Sequence, residues 1–118
     1  MTQYGVGTVD IRVPYYSDSG YWNGSVWMPH QWRLWKSLLD TVETELAAEI
    51  AQKAVKTWST EVCDSYSCFE NFMVRTGRGS GYHAFSGLST PVLMFYEALY
   101  SPGSVTAGFF TSVKSTRF

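Results

Sequence analysis

A glutamate between two phenylalanines is the residue of this sequence with the clearest potential for catalysis. Glu70 follows Phe69 and precedes Phe72, and no cationic residue is closer to it in sequence than Arg75. A carboxylate among apolar neighbours can serve as a general acid or base. A single loop glutamate is more often a solvated surface residue, so the residues themselves leave both interpretations open.

A second candidate is the aromatic-rich segment 21–32. It places four large rings among glycine, serine and asparagine: Tyr21, Trp22, Trp27 and Trp32. Asn23, Gly24 and Pro29 favour an irregular loop. Flat apolar rings with polar edges suit sugar rings, which have a C–H face and a rim of hydroxyls, so the segment could line a pocket for a polar ligand. The spacing leaves equally open that these rings only close a core.

The two histidines are further candidates for ligand contacts. His83 lies near Tyr82 and Phe85 and could bond a ligand hydroxyl, while His30 could reach the same pocket from the start of a helix. Either could instead be a structural histidine, which is the commoner case. The glycine-rich segment 77–81 lacks the Gly-Lys-Ser/Thr of a phosphate-binding loop, so we interpret its glycines as turns.

Composition limits the possible partners. The chain has 118 residues, the size of one small domain, and a formal net charge of −1. No segment is rich in Lys or Arg, which argues against nucleic-acid binding, and no apolar run is long enough to span a bilayer. The first residues lack the pattern of a signal peptide, and the compartment stays undetermined.

Cys63 and Cys68 are the only cysteines. Two unpaired thiols are the favoured interpretation, and a small loop disulfide is the alternative. A zinc site would have too few ligands, so we expect neither a metal nor another cofactor.

Apolar spacing predicts a helical hairpin that carries these segments. Pro29 suits the first turn of the first helix, whose apolar positions are Trp32, Trp35, Leu38, Leu39 and Val42. The second helix has apolar residues every fourth position, at Leu46, Ile50, Ala54, Trp58 and Val62, and its apolar stripe is widened by Ala47, Ala51 and Val55. Residues 64–87 show no periodicity and predict a long loop, of the kind that is usually functional.

A third helix is predicted from Ser89–Pro91 to about Tyr100, followed by a strand over residues 105–113. Three helices cannot bury all the aromatic surface of this chain, in which 17% of residues are aromatic. The chain is therefore expected to be a slice of a larger structure. The alternatives are an unusual small domain or an obligate oligomer.

Several runs, in their order along the chain, resemble the C-terminal part of glycoside hydrolase family 63 and its relatives, the processing α-glucosidases and mannosylglycerate hydrolase-like enzymes. These runs are YWNGSVWMPHQW, CFENF, GRGSGYHAFSGLSTPVL and PGSVTAGF, and the match extends from about Gly5 to Phe109. The resemblance implies an all-α fold that is part of an (α/α)6 toroid, with residues 1–118 as a C-terminal segment of the catalytic domain. The rest of that domain is then the expected protein partner.

The resemblance also assigns site residues. It implies that Glu70 is the catalytic base, and that the Tyr-Trp-x-Gly-x-x-Trp motif lines the subsite of the released sugar, which carries over to Tyr21, Trp22, Gly24 and Trp27. Many relatives have Arg in place of Asn23. His83 matches a position near the pocket floor.

The implied reaction is hydrolysis of α-linked glucosides or mannosides with inversion, in which one carboxylic acid protonates the leaving oxygen and a second carboxylate activates water. The family's acid is an Asp in an upstream motif, and nothing here matches it. The aspartates of this chain lie in sequence contexts that do not match this motif: Asp10, Asp18, Asp40 and Asp64. The isolated chain is therefore expected to be inactive. The alternatives are a non-catalytic carbohydrate-binding or interaction module and one subunit of a split enzyme.

Overall fold

The computed structural model describes residues 1–101, and its main element is a hairpin of two helices. Helix α1 spans Met28–Asp40 with Pro29 in its first turn, and helix α2 spans Thr44–Ser65. A three-residue connection makes the two helices antiparallel neighbours, as predicted. The prediction that Val42 belongs to the apolar face of α1 is wrong. Val42 lies in the turn with φ 68° and is 48% exposed.

Helix α2 buries part of the predicted apolar stripe, followed by two polar residues. Its buried residues are Ala47, Ile50, Ala51, Ala54, Thr57 and Glu61. The first four were all predicted in the stripe, and their small or β-branched side chains at spacings of three and four let α1 approach closely. Leu46, predicted on this face, is 41% exposed. Two polar residues take the C-terminal part of the face because each has a polar partner: Thr57 donates to the carbonyl of Tyr4 at 3.0 Å, and Glu61 pairs with Arg78.

The third predicted helix, after a single 3-10 turn over Ser86–Ser89, completes the core. It is confirmed at Thr90–Tyr100. Its buried Phe95 meets Trp35 of α1 edge to face, with ring centroids 5.5 Å apart. The indole Nε1 of Trp58 on α2 donates to Ser89 Oγ at 2.7 Å, which fixes the start of this helix against α2. This helix is α3.

A minimal sheet joins the two segments that carry the candidate site. Strand β1 (Asn71–Phe72) pairs antiparallel with strand β2 (Gly79–Ser80), inside the predicted long loop. Val26, from the aromatic segment, lies on the other side of β1: its N–H donates to the Phe72 carbonyl at 2.8 Å, and the Phe72 N–H donates back at 2.9 Å. This backbone pair brings residues 21–27 next to residue 70.

The first 27 residues form turns and extended chain, and one buried side chain anchors them. Gln31 of α1 is fully buried; its Oε1 accepts from the Val6 N–H at 2.9 Å and its Nε2 donates to the Val6 carbonyl at 2.8 Å. This paired contact holds the N-terminal segment against α1. Nothing in the sequence pattern singled out Gln31, because a polar residue on a helix is normally assigned to the solvent.

Over residues 1–101 the architecture is all-α, with the three helices α1, α2 and α3 and long loops, which confirms the predicted class. On α3, the residues Leu93, Tyr96 and Tyr100 are each more than half exposed. Cys63 and Cys68 are both free thiols, as favoured. Within residues 1–101 no helix is long and apolar enough to cross a membrane. The predicted strand over residues 105–113 lies outside the described residues.

Candidate active site

Glu70 is held at the start of β1 by donors from two different loops. Its carboxylate accepts the hydroxyl hydrogen of Tyr21 at Oε1 and the backbone N–H of Tyr82 at Oε2, the latter at 3.3 Å. Its own backbone N–H donates to the Tyr82 carbonyl at 2.9 Å. Both donors to the carboxylate are neutral, and in the described part of the chain no cationic side chain pairs with it. The carboxylate is thus oriented without being neutralised.

Tyr21 links the carboxylate to the tryptophans. The ring of Tyr21 meets Trp27 edge to face, with centroids 4.6 Å apart, and the Nε1 of Trp27 donates to the Tyr21 carbonyl at 2.9 Å. The hydrogen bond to Glu70 raises the pKa of the Tyr21 phenol, and partial burial and the negative charge of Glu70 act in the same direction. The phenol therefore stays a donor to Glu70 through the neutral pH range.

The two tryptophans form a parallel stack with one inner and one outer ring. Their centroids lie 4.2 Å apart and their planes differ by 6°. Trp27 is 4% exposed, whereas Trp22 is 57% exposed. The two interpretations of this segment therefore apply to different residues: Trp27 closes the core, and Trp22 presents a flat ring to the solvent.

Gly24 has a structural reason to be glycine. It is buried, and a Cβ there would lie 1.9 Å from the Ser17 carbonyl oxygen. The Ser17 N–H donates to the Asn23 carbonyl at 3.0 Å, and the Asn23 side chain donates to the Tyr15 carbonyl at 2.7 Å. These contacts close the loop that carries Tyr21. A contact of Gly24 with a sugar stays a prediction.

A second glycine, which the sequence did not single out, lies against the carboxylate. Gly81 has φ 75°, a conformation that side chains rarely adopt, and a Cβ there would lie 2.8 Å from Glu70 Oε2. Gly77 also has a positive φ, of 71°, in agreement with the interpretation of segment 77–81 as turns. The only sequence signal for Gly81 is its position in this glycine-rich loop directly before Tyr82.

The two histidines have different surroundings. His30, in the first turn of α1, lines a cleft of about 470 Å³ together with Trp22, Trp27, Pro29, Arg33 and Leu88. His83 is exposed, with its ring 5.1 Å from that of Tyr82. The structure thus joins four predicted site residues in one group, Glu70, Tyr21, Trp22 and Trp27, and His30 shares a cleft with the two tryptophans. A role for His83 stays a prediction.

No cluster of three or more His, Cys, Asp or Glu side chains suited to a metal ion occurs among residues 1–101. The chemistry that this group offers is that of a negatively charged carboxylate beside an exposed aromatic face. A carboxylate held by neutral donors can accept a proton from water, and an exposed indole can carry the C–H face of a sugar.

This chain is similar to known proteins in sequence and in fold. Residues 1–86 match the model of the mannosylglycerate hydrolase MGH1-like glycoside hydrolase domain. Two solved structures from Thermus thermophilus share the fold: an uncharacterized conserved protein (26% identity, TM-score 0.70) and the GH63 mannosylglycerate hydrolase in complex with glucose (24% identity, TM-score 0.69).

The aligned region covers 80% of this chain but only 23% of each Thermus chain, so this chain corresponds to less than a quarter of the length of either one. No curated protein matches the chain. Because the domain model covers residues 1–86, well over half of the sequence, the family assignment does not depend on the structural likeness alone. The chain belongs to the mannosylglycerate hydrolase MGH1-like glycoside hydrolase family.

Proposed function

We propose that this chain supplies the general base and part of the sugar-binding wall of an inverting α-glycosidase. The observation that carries the proposal is the Glu70 carboxylate, which is bonded to Tyr21 and so joined to the tryptophan stack. In this proposal Glu70 Oε1 or Oε2 accepts a proton from a water molecule as that water attacks the anomeric carbon of an α-glucoside or α-mannoside. Trp22 carries one face of the sugar.

Inversion requires a second carboxyl group on the opposite side of the sugar, ~6.5–9.5 Å from the base, because water must fit between them. That group protonates the leaving oxygen. We propose that it comes from the part of the toroid that this chain does not cover, in the same polypeptide or in a separate one. The exposed rings of Tyr66, Tyr82 and Phe85 fit such a partner, since a monomer rarely leaves so many large apolar side chains in water.

A complementation experiment tests the proposal. The chain is joined to the portion of the Thermus thermophilus mannosylglycerate hydrolase outside the aligned region, and hydrolysis of 4-nitrophenyl α-glucoside and α-mannoside is measured. We expect activity from the joined enzyme, none from the isolated chain, and the β-anomer of the sugar as the first product seen by NMR. Release of the α-anomer would contradict inversion.

Glu70→Gln in the joined enzyme should lower kcat by at least about 100-fold, since removing a general base typically costs that factor or more. The matched control is Glu45→Gln on the exposed first turn of α2, which removes the same charge far from the site and should leave kcat unchanged. Equal kcat values for the two variants would contradict the proposal that Glu70 is the general base.

The isolated chain distinguishes the rival function, a non-catalytic carbohydrate-binding module. The exposed Trp22 is the observation that favours it, because its ring is accessible without any partner. Tight sugar binding by the isolated chain, combined with an inactive joined enzyme that is folded, would favour the module.

A further inference from the structure

Asn71, the residue after Glu70 on β1, is a buried polar side chain that packing does not explain. It is 1% exposed, and its Oδ1 has no hydrogen-bond partner among residues 1–101. A buried amide oxygen without a donor costs stability, and an apolar side chain of similar size would avoid that cost. A residue that breaks this rule of packing is expected at a functional position rather than in an ordinary core.

Gly81 leaves open a small space that both Asn71 and Glu70 border. A Cβ on Gly81 would lie 2.9 Å from Asn71 Nδ2 and 2.8 Å from Glu70 Oε2. In the described part of the chain no hydrogen bond joins these two side chains directly, because both hydrogen bonds to the Glu70 carboxylate come from elsewhere. The two atoms are close enough for one water molecule to bond both, since each of its hydrogen bonds spans about 2.7–3.2 Å. Gly81 is exposed, so solvent reaches this space.

We propose that Asn71 is a positioning residue for Glu70: its Nδ2–H donates to a water molecule beside Gly81, and that water donates to Glu70 Oε2. The inference rests on the proposed function, because it concerns the base of that reaction. Tyr21 donates to Oε1 and the Tyr82 N–H donates to Oε2, so the water is a third neutral donor to the carboxylate. A third donor restricts the carboxylate to one orientation and favours its charged form.

The ionisable groups around Glu70 come from two loops. The aromatic segment contributes the Tyr21 phenol, which bonds the carboxylate directly. The loop after β2 contributes the exposed side chains of Tyr82 and His83, whose rings lie 5.1 Å apart. No ion pair within residues 1–101 includes Glu70. The effect of Asn71 on the carboxylate is therefore that of a neutral donor, which no nearby cation in this part of the chain masks.

The first test needs no activity. NMR of the isolated chain measures magnetisation transfer between the Asn71 Nδ2 protons and water, and we expect the sign that marks a bound water molecule. Gly81→Ala places a methyl group in the space and should abolish the transfer, whereas Gly87→Ala should keep it, because nothing lies within 4 Å of a Cβ there. Tyr21→Phe removes a hydroxyl hydrogen that exchanges with solvent and should also keep it. Absence of transfer in the folded wild-type chain, or transfer that persists in G81A, would overturn the proposal.

The second test measures catalysis by the joined enzyme. Asn71→Leu keeps the approximate volume of the side chain and removes its donor. We expect kcat to fall about three- to tenfold, as for the loss of one hydrogen bond, with KM unchanged. The acidic limb of the kcat profile should move to higher pH, because the charged form of Glu70 loses a donor. Asn71→Asp keeps the shape but lacks the N–H donor; it should act in the same direction and replaces N71L if the leucine variant does not fold.

The matched control is Thr57→Val on α2. Thr57 is also a buried polar residue, but its hydroxyl donates to the Tyr4 carbonyl and not to the site. The T57V variant should lose stability and keep both the kcat and the acidic limb of the wild type. An acidic limb that does not move in N71L, or one that moves equally in T57V, would overturn the proposal.

The outcomes also separate this inference from the proposed function. A joined enzyme whose kcat depends on Glu70 but not on Asn71 would overturn the inference alone. A joined enzyme that is folded and inactive would contradict the proposed function, and with it the positioning role, even if the isolated chain holds a bound water at Asn71.

Discussion

Two glutamates nine residues apart in this chain are held by different kinds of partner. Glu61 is 3% exposed and pairs with Arg78, whose Nε lies 2.9 Å from Oε2 and whose Nη1 also donates to Asp64. Glu70 is half-buried and is held by a tyrosine hydroxyl and a backbone N–H. The first carboxylate forms an ion pair with Arg78, which holds the loop that carries Arg78 against α2. The second has no cationic partner among residues 1–101, so its negative charge is not compensated there, as a general base requires.

The largest expected effect comes from breaking the neutralised pair. Arg78→Met leaves Glu61 buried without its cation, and we expect a loss of about 3 kcal/mol in the free energy of unfolding, the low end for a broken buried pair because Arg78 itself is half exposed. Urea unfolding of the isolated chain measures it. Glu70→Gln is the comparison and should change stability by less than about 0.5 kcal/mol. Similar losses of unfolding free energy in Arg78→Met and Glu70→Gln would contradict the difference drawn between the two carboxylates.

An intermediate effect is expected at Gly81. Alanine there must adopt φ near 75° with its Cβ close to Glu70 Oε2, so we expect about 1–2 kcal/mol of destabilisation and displacement of the carboxylate. Gly87→Ala is the control, because nothing lies within 4 Å of a Cβ at that position. Thermal unfolding measures the first effect, and the NMR signal of the Tyr82 N–H measures the second. A stable G81A with an unmoved Tyr82 signal would contradict the geometry.

The smallest effect is electrostatic and concerns Tyr21. Its pKa is raised because its hydroxyl donates to the charged Glu70, so Glu70→Gln should lower the Tyr21 pKa towards its ordinary value of about 10. A raised phenol pKa means that this contact stabilises the fold at neutral pH and is lost as the pH rises through that pKa. An NMR titration of labelled tyrosine measures the change. In Glu61→Gln the Tyr21 pKa should not move; a shift there, or none in Glu70→Gln, would refute the contact.

The helices were predictable because their signals are local. A proline in the first turn and apolar residues at spacings of three and four marked α1 and α3 within about two residues. The C-terminal part of the buried face of α2 was not predictable, because Thr57 and Glu61 are buried there only through partners at Tyr4 and Arg78, which helical periodicity does not reveal.

The candidate site was predictable in its residue types and not in its contacts. Glu70 and the aromatic segment were identified by their composition and by the resemblance of their motifs. The hydrogen bond between Tyr21 and Glu70 spans 49 residues and depends on the backbone pair of Val26 and Phe72.

Azide rescue tests most directly whether Glu70 is the residue that activates water. In the joined enzyme, Glu70→Ala removes the base and leaves space for a small anion, which needs no deprotonation to attack the sugar. With 4-nitrophenyl α-glucoside or α-mannoside, whichever the joined enzyme hydrolyses, and added azide, we expect restored turnover and a β-glycosyl azide identified by NMR, because the anion attacks from the side of the missing carboxylate. An α-glycosyl azide, or hydrolysis that E70A retains without azide, would contradict the account.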